Sequence, residues 1–259
     1  FITKTCDGTV DGTGKVIGNA SANYVNSAGT VLTGPEYMTL FDGATGAALD
    51  TIEFPVLRGD ATSNTAKSTW GDNYGNRCER YNCAIAYLDG VHPSVIYGRG
   101  YYTRMAATAY KVENKKLVKM WAFDTGNTSS NPGYGDGNHH CMAADVDQDG
   151  KQEVVVGSAI IDDDGKLLNT TSLAHGDAIH IGDFDPSNPG LEIFQCLEDA
   201  THPNGTAVNY GTILRAAGTG KVLFRETAEG DTGRCLADNL IAGNGGAEMV
   251  GSHNSIVYS

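Results

Sequence analysis

The stretch Asp145–Glu153, with the sequence DVDQDGKQE, runs directly into the apolar residues Val154–Val156. Aspartates at alternate positions direct three carboxylates inward as the backbone curls, and a glycine permits the tight turn. The closing glutamate can then complete the ligand shell with both of its oxygens. Because this glutamate is the ninth residue of the loop and not the twelfth, the motif predicts a calcium loop that leads into a strand. The predicted ligands are Asp145, Asp147, Asp149 and Glu153.

Composition predicts a single all-β domain with many turns. The chain has 259 residues, including 34 glycines, and its 31 acidic residues are mostly aspartate. Surface helices favour glutamate, whereas turns and ion-binding loops favour aspartate. A chain of this length can bury a large core as one all-β domain.

Two kinds of half-unit alternate along the chain and predict a β-propeller. Acidic or turn-rich loops lead into short apolar runs at Tyr87–Gly98, Asp145–Gly157, Asp183–Phe194 and Asp238–Gly251. Hairpins with polar turns lie at Leu40–Leu49, Ala109–Trp121, Ile160–Leu167 and Leu214–Phe224. This alternation repeats at about 40–60 residues, which is typical of propeller blades. We count about four blades, with a last hairpin beginning at Ser255, and expect residues 1–259 to form a partial propeller domain that is incomplete at both ends.

The formal charge of −13 makes nucleic acid an unsuitable partner, because phosphate binding requires a basic surface. No apolar run approaches the 18 residues of a membrane span. No secretion signal opens the chain, so we expect any such signal to have been removed or to lie outside this sequence. Cys78 and Cys83 would pair across a loop in one interpretation, and the six cysteines are buried thiols in the other.

Two further loops carry acidic residues before an apolar run. Asp183, Asp185 and Glu192 predict a second calcium loop, which two prolines stiffen. The loop Asp238–Glu248 lacks the middle carboxylates and is expected to bind its ion weakly or not at all. Repeated sites on equivalent loops cannot all be catalytic, so we interpret these loops as structural calcium sites.

His139, His175, Asp177 and Glu198 lie outside the repeated loops, each near a predicted strand end. If these ends meet at one rim of a ring, the four side chains form a second metal site. Two imidazoles and two carboxylates suit a transition metal better than calcium, which prefers oxygen. The residue types alone leave the metal undecided, and in the simpler alternative the histidines hydrogen-bond turns.

A specific combination of motifs is spread over nearly the whole chain, at Ser27–Leu49, Trp70–Asn76, Gly98–Arg104, Gly137–His139, Ala144–Gly150, His175–Asp177, Gly190–Phe194 and Thr232–Arg234. In these segments the chain resembles the rhamnogalacturonan lyases of polysaccharide lyase family 11. The resemblance implies an eight-bladed, calcium-dependent propeller that cleaves the backbone of rhamnogalacturonan I, an acidic plant cell-wall polysaccharide, by β-elimination. It also implies that other blades of the ring are absent from this sequence.

Residue by residue, the resemblance implies that an active-site cation is held at His139, His175, Asp177 and Glu198. Arg234 would face the acidic substrate. By residue type alone, Arg99, Tyr101, Tyr102 and Arg104 would form a sugar-binding strip, because aromatic faces and guanidinium groups suit an acidic glycan, although a packed strand explains them as well. The proton acceptor would be His139, His175 or a tyrosine such as Tyr101, and it stays unassigned because a ligand histidine cannot also be a free base.

Three hypotheses follow from these residues. The first is a secreted bacterial rhamnogalacturonan lyase with calcium as its cofactor, binding neither nucleic acid nor membrane. The second is a calcium-loaded propeller that only binds a partner, in which the four candidate ligands would be scattered. The third is a transition-metal hydrolase, for which metal analysis would find zinc or manganese.

Overall fold

The structure, a computed structural model, describes residues 1–59, 69–71, 79–254 and 257–258. Strands make up nearly all of its regular secondary structure, which confirms the all-β prediction. They are β1 (Ile2–Cys6), β2 (Glu36–Phe41), β3 (Ala48–Glu53), β4 (Tyr81–Ala86), β5 (Ser94–Arg99), β6 (Ala106–Glu113), β7 (Lys116–Asp124), β8 (Gly137–Ala144), β9 (Glu153–Gly157), β10 (Ala159–Ile161), β11 (Leu167–Thr170), β12 (Ile179–Gly182), β13 (Glu192–Leu197), β14 (Gly211–Ala216), β15 (Val222–Glu226), β16 (Cys235–Asp238), β17 (Glu248–Gly251) and β18 (Val257–Tyr258).

Within the described part of the chain, these strands form five sheets in chain order: β1–β3, β4–β7, β8–β11, β12–β15 and β16–β18. Within each sheet, every strand pairs antiparallel with the next strand in sequence. The four predicted hairpins are confirmed. The count of about four units was wrong, because the first two strands are separated by residues 7–35. This long connection hides the first sheet from a search for short repeats.

Interior strands of the third and fourth sheets are deeply buried. Every residue of β9 and of β13 is buried. A continuous apolar run such as Val154–Val156 is typical of strands that are covered on both faces. Because both faces of these strands are covered, their residues do not alternate between apolar and polar, as those of a half-exposed strand would.

Successive sheets share apolar layers, which hold them together. Val155 and Ile160 of the third sheet pack with Ile179 and Ile193 of the fourth. Similar layers join the first sheet to the second, the second to the third and the fourth to the fifth. The first strands β4, β8, β12 and β16 also contact one another in that order.

A bulge in β8 positions the candidate site. Gly137 pairs with Gly157, but the next pair is Met142 with Val155, so β8 advances five residues while β9 advances two. The extra residues leave the ladder and meet the segment before β12, where the backbone amide of His139 donates to the carbonyl of Gly176 at 3.2 Å. Bulges of this kind redirect side chains at sheet ends.

Some sequence predictions fall on residues outside the described ranges. These are residues 72–76 of the Trp70–Asn76 motif and the start of the last hairpin at Ser255, whose Val257 and Tyr258 pair with β17. Of the suggested Cys78–Cys83 pair, Cys83 has a free thiol and Cys78 lies outside the described part. No helix among the described residues is long and apolar enough to span a membrane.

Candidate metal centre

Four residues that are remote in sequence meet at one end of the third and fourth sheets. His139 lies in the bulge of β8, His175 and Asp177 precede β12, and Glu198 follows β13. One ligand atom from each lies within 4.8 Å of the others. The structure therefore brings the four predicted residues together, as a metal centre requires. Their role as metal ligands stays a prediction.

The His175 imidazole is held in one tautomer. Its Nδ1 contacts the backbone carbonyl of Gly137, which can only accept, so Nδ1 carries the proton and the lone pair lies on Nε2. Nε2 is buried 2.9 Å from Glu198 Oε2, and no aligned hydrogen-bond partner for it exists among the described residues. A buried lone pair beside a carboxylate, with no donor of its own, is the arrangement that a cation would complete.

Two tyrosines hold the His139 ring. The Tyr101 hydroxyl lies 2.9 Å from Nδ1 of His139, and the Tyr102 hydroxyl lies 2.8 Å from Nε2. Nε2 also lies 3.2 Å from Asp177 Oδ1. Burial, and then the neighbouring His175, lower the pKa of His139, which favours the neutral imidazole that can bind a metal.

The charges of the cluster also fit a divalent cation. Two carboxylates and two neutral imidazoles carry a formal charge of −2. The cluster's negative charge also acts on Asp231 nearby, because burial together with Glu198 and Asp177 raises the pKa of its carboxyl group. A bound cation would offset this concentration of negative charge, and nitrogen and oxygen donors together form a usable ligand set.

Arg234 stands at the edge of the cluster. Its guanidinium contacts the Asp177 carboxylate, yet 76% of its side chain is exposed. Ion pairs this exposed contribute little stability, so the guanidinium can exchange Asp177 for another carboxylate at low cost. With His139, Asp177 and Glu198, it lines an open cleft of about 540 Å³, which His140 and Ala178 complete.

The Asp145–Glu153 loop forms a separate acidic group. Carboxylate oxygens of Asp145, Asp147 and Glu153 lie within 4.8 Å of one another. Oε2 of Glu153 accepts the Val146 amide at 2.7 Å, whereas its Oε1 is buried without a hydrogen-bond partner in the described structure. Burial, with repulsion from the neighbouring aspartates, raises the pKa of Glu153 from 4.5 to about 7.

One predicted ligand stands apart from this group, and two acids that the sequence analysis did not name lie beside Glu153. Asp149 lies outside the group and pairs with Lys151, with Nζ 3.4 Å from Oδ2. Asp162 and Asp163, from the turn between β10 and β11, form a second group with Glu153. The run of three aspartates at 162–164 was the available sequence signal, but only pairing of β9 with β10 places it beside the loop.

The calcium site at Asp183, Asp185 and Glu192 stays a prediction, and these three acids form no ligand group among the described residues. Oε2 of Glu192 accepts the amides of Phe184 and Asp185 at 2.8 and 3.0 Å, and Oε1 accepts Asn188 Nδ2 at 2.5 Å. Donors from the loop itself thus occupy both oxygens.

The loop that ends at Glu248 repeats this pattern. Oε2 of Glu248 accepts two backbone amides, and Oε1 accepts Asn244 Nδ2 at 2.8 Å. Asparagine stands four residues before the glutamate in both of these loops, whereas the Asp145 loop has Asp149 there. An amide donor at this position therefore distinguishes a closed loop from one that offers a free oxygen.

The predicted sugar-binding strip needs correction. Arg99 is fully buried and binds Glu36 through two nitrogens, at 2.7 and 2.8 Å, so it is not available to a glycan. Arg104 binds Asp124, and the Tyr101 ring is buried while its hydroxyl supports His139. The alternative interpretation, a packed strand end, fits these residues.

Comparison with known proteins places this chain in a family. The whole chain, residues 1–259, matches the family model described as the C-terminal domain of rhamnogalacturonan lyase family 11. Rhamnogalacturonan endolyase YesW of Bacillus subtilis (strain 168) is 48% identical over 237 residues, which are 92% of this chain and 36% of that protein. Rhamnogalacturonan exolyase YesX of the same organism is 47% identical over 237 residues, 92% of this chain and 37% of that protein.

The fold agrees with these matches. The crystal structure of rhamnogalacturonan lyase YesW superposes with a TM-score of 0.89 at 46% sequence identity, covering 100% of this chain and 42% of that chain. This chain thus spans less than half the length of the relatives it matches.

Proposed function

This chain belongs to rhamnogalacturonan lyase family 11, and we propose that it supplies the cation-binding face of an enzyme that cleaves rhamnogalacturonan I by β-elimination. The single observation that carries the proposal is the convergence of His139, His175, Asp177 and Glu198. The relatives named as rhamnogalacturonan lyases support the substrate class. In a protein that only binds a partner, these four side chains would have no reason to share one point.

We propose calcium as the cation at this centre. Nε2 of His175 would bind it, together with the carboxylates of Asp177 and Glu198, and Nε2 of His139 would join them on release of the Tyr102 hydroxyl. When bound to the carboxylate of a galacturonate, the ion would stabilise the negative charge that develops on that group. The two imidazoles also suit zinc or manganese, so metal analysis separates the lyase from a transition-metal hydrolase.

The residues of the chain would orient the substrate and share its charge. Elimination transfers the proton on C5 of galacturonate, next to the carboxylate, to a base, and the C4–O bond to the leaving sugar breaks as the C4–C5 double bond forms. Arg234 can give that carboxylate a bidentate, charge-assisted contact once it leaves Asp177. As ligands, His139 and His175 have their lone pairs committed, so we assign them to cation binding and not to proton abstraction.

The acidic loop has a different proposed role. We assign Asp145, Asp147 and Glu153 to a structural calcium ion that links the end of β8 to the start of β9. The buried free oxygen of Glu153 supports this assignment. Calcium would offset the burial and the repulsion from neighbouring aspartates that raise the pKa of this carboxyl group.

We further propose that the five sheets are consecutive blades of a β-propeller in a secreted bacterial protein. The contacts between successive first strands and the shared apolar layers support this arrangement. The length of the relatives leaves room for more blades. A plant cell-wall polymer is too large to enter a bacterial cell, which supports secretion.

A lyase assay tests the proposal. The protein, expressed at the length of its curated relatives, is incubated with rhamnogalacturonan while ultraviolet absorbance follows the unsaturated product. We expect a rise that chelator stops and calcium restores, and no rise for His175→Ala. Absence of product from a folded, calcium-loaded protein would refute the lyase function and favour a binding module.

A further inference from the structure

Asp136 is a buried carboxylate outside the proposed ligand set. Only 1% of this residue is exposed. Its Oδ1 accepts the backbone amide of Ala174 at 3.1 Å and lies 3.2 Å from Nε2 of His202. Its Oδ2 accepts the Thr170 hydroxyl at 2.7 Å. Such a carboxylate is expensive to bury unless its bonds serve the structure around it.

The partners of Asp136 belong to segments that carry the proposed ligands. Asp136 itself precedes Gly137, whose carbonyl fixes the His175 tautomer. Ala174 precedes His175 directly and has a left-handed backbone, with φ of 66°. This conformation is unfavourable for alanine, so the bond from its amide to Asp136 compensates for local strain at the ligand.

His202 connects Asp136 to the segment after Glu198. Its Nδ1 accepts the Asn204 amide at 3.0 Å, so the proton lies on Nε2, which faces Asp136 in an ion-pair contact without the alignment of a hydrogen bond. The side chain is nearly completely buried. Three of the four proposed ligands, His139, His175 and Glu198, thus stand on segments that meet at one carboxylate.

We infer that Asp136 is a positioning residue of the metal centre, holding the β8 bulge, the His175 segment and the segment after Glu198 in register. The inference rests on the proposed function, because it assumes that the cluster binds a cation. Residues that orient metal ligands without touching the metal typically change metal affinity about 10–100-fold when they are replaced.

Asp136→Asn is the direct test, and Asp11→Asn is its matched control. Asp11 is also a buried carboxylate that accepts several donors, among them the amides of Thr13, Lys15 and Ala48, but it lies in the connection between β1 and β2, away from the cluster. Both substitutions keep the side-chain size and remove one charge. If Asp136 had only a structural role, the two substitutions would therefore change calcium affinity at the cluster to a similar extent.

Calorimetric titration with calcium gives a readout that does not depend on activity. It is carried out on metal-stripped protein of the relatives' length, and the binding that His175→Ala abolishes is assigned to the cluster. We expect Asp136→Asn to weaken this binding about 10–100-fold and Asp11→Asn to leave it within about twofold. We also expect excess calcium to restore turnover in Asp136→Asn but not in His175→Ala.

Wild-type affinity in Asp136→Asn, or an equal loss in Asp11→Asn, would overturn the inference alone. Absence of any His175-dependent binding in the wild-type protein would overturn the proposed function as well. If Asp136→Asn does not fold, Thr170→Val removes a single donor to Asp136. The inference then requires a severalfold loss of calcium affinity with an unchanged circular dichroism spectrum, and unchanged affinity would overturn it.

Discussion

The cluster of His139, His175, Asp177 and Glu198 and the Asp145–Glu153 loop both gather carboxylates, but they differ in how the sequence builds them. The loop takes its acids from nine consecutive residues around the left-handed Gly150, whose φ is 92°. The cluster takes two histidines and two acids from segments that only the sheets bring together. A local loop can brace strands wherever it occurs, whereas a cluster assembled by the fold can also place Arg234 at an open cleft.

The largest expected effect is a loss of turnover when the cluster, and not the Asp145–Glu153 loop, is altered. His175→Ala removes a ligand from the cluster and should lower kcat by about a thousandfold, because cation stabilisation of developing charge is worth several kcal/mol. Steady-state assays with rhamnogalacturonan measure this loss, and thermal melting checks the fold. Retained turnover would mean that the cluster is not the centre of the reaction.

Asp147→Ala should lower thermal stability and leave turnover unchanged, the opposite of His175→Ala. Free calcium at a hundred times its dissociation constant stabilises a binding protein by about 2.7 kcal/mol, and the variant should lose this gain at the loop. Melting curves with and without calcium measure the difference, and turnover should persist. If Asp147→Ala abolished turnover without changing the melting temperature, the roles of the two regions would be reversed.

A smaller effect sharpens the account of the cluster. Arg234→Ala should lower kcat/KM about tenfold, because a charge-assisted contact to the substrate carboxylate is worth roughly 1.5–3 kcal/mol before exposure to solvent weakens it. Arg104→Ala is the control, since that arginine binds Asp124 and does not line the cleft. Equal losses in both variants would contradict a specific role for Arg234.

The smallest effect is a pH dependence of the loop. The folded protein raises the pKa of Glu153 to about 7, so without calcium this group favours the folded state below its unfolded value of 4.5. That contribution is lost as the pH rises through about 7. Melting in chelator should therefore fall across this range and recover with calcium, and Glu153→Gln should flatten the profile. Glu192→Gln, in the self-bonded loop, should not respond to calcium.

Local patterns in the sequence predicted much of the fold. Val154–Val156 identified a buried strand, and the polar turns identified the hairpins, because both signals lie within a few residues. The number of sheets was missed, since the connection over residues 7–35 has no short-range repeat. Local signals cannot reveal a strand pair whose partners are this far apart.

Site residues were predictable from the sequence where their chemical type determines their role. They were not predictable where the role depends on which partner the side chain contacts. Resemblance and residue chemistry identified His139, His175, Asp177 and Glu198, but Arg99 pairs with Glu36 in another sheet. Oε1 of Glu192 accepts a hydrogen bond from Asn188 in its own loop, whereas Oε1 of Glu153 has no such donor in the described structure. Which partner a charged side chain finds depends on packing between sheets and on single loop residues.

Anomalous diffraction from crystals grown with calcium and then with manganese measures cation binding most directly. The account predicts a peak bounded by His139, His175, Asp177 and Glu198, and a second peak at the Asp145–Glu153 loop. A filled loop with no density among the two histidines and two acids, in crystals that hold the cation elsewhere, would contradict the proposed metal centre.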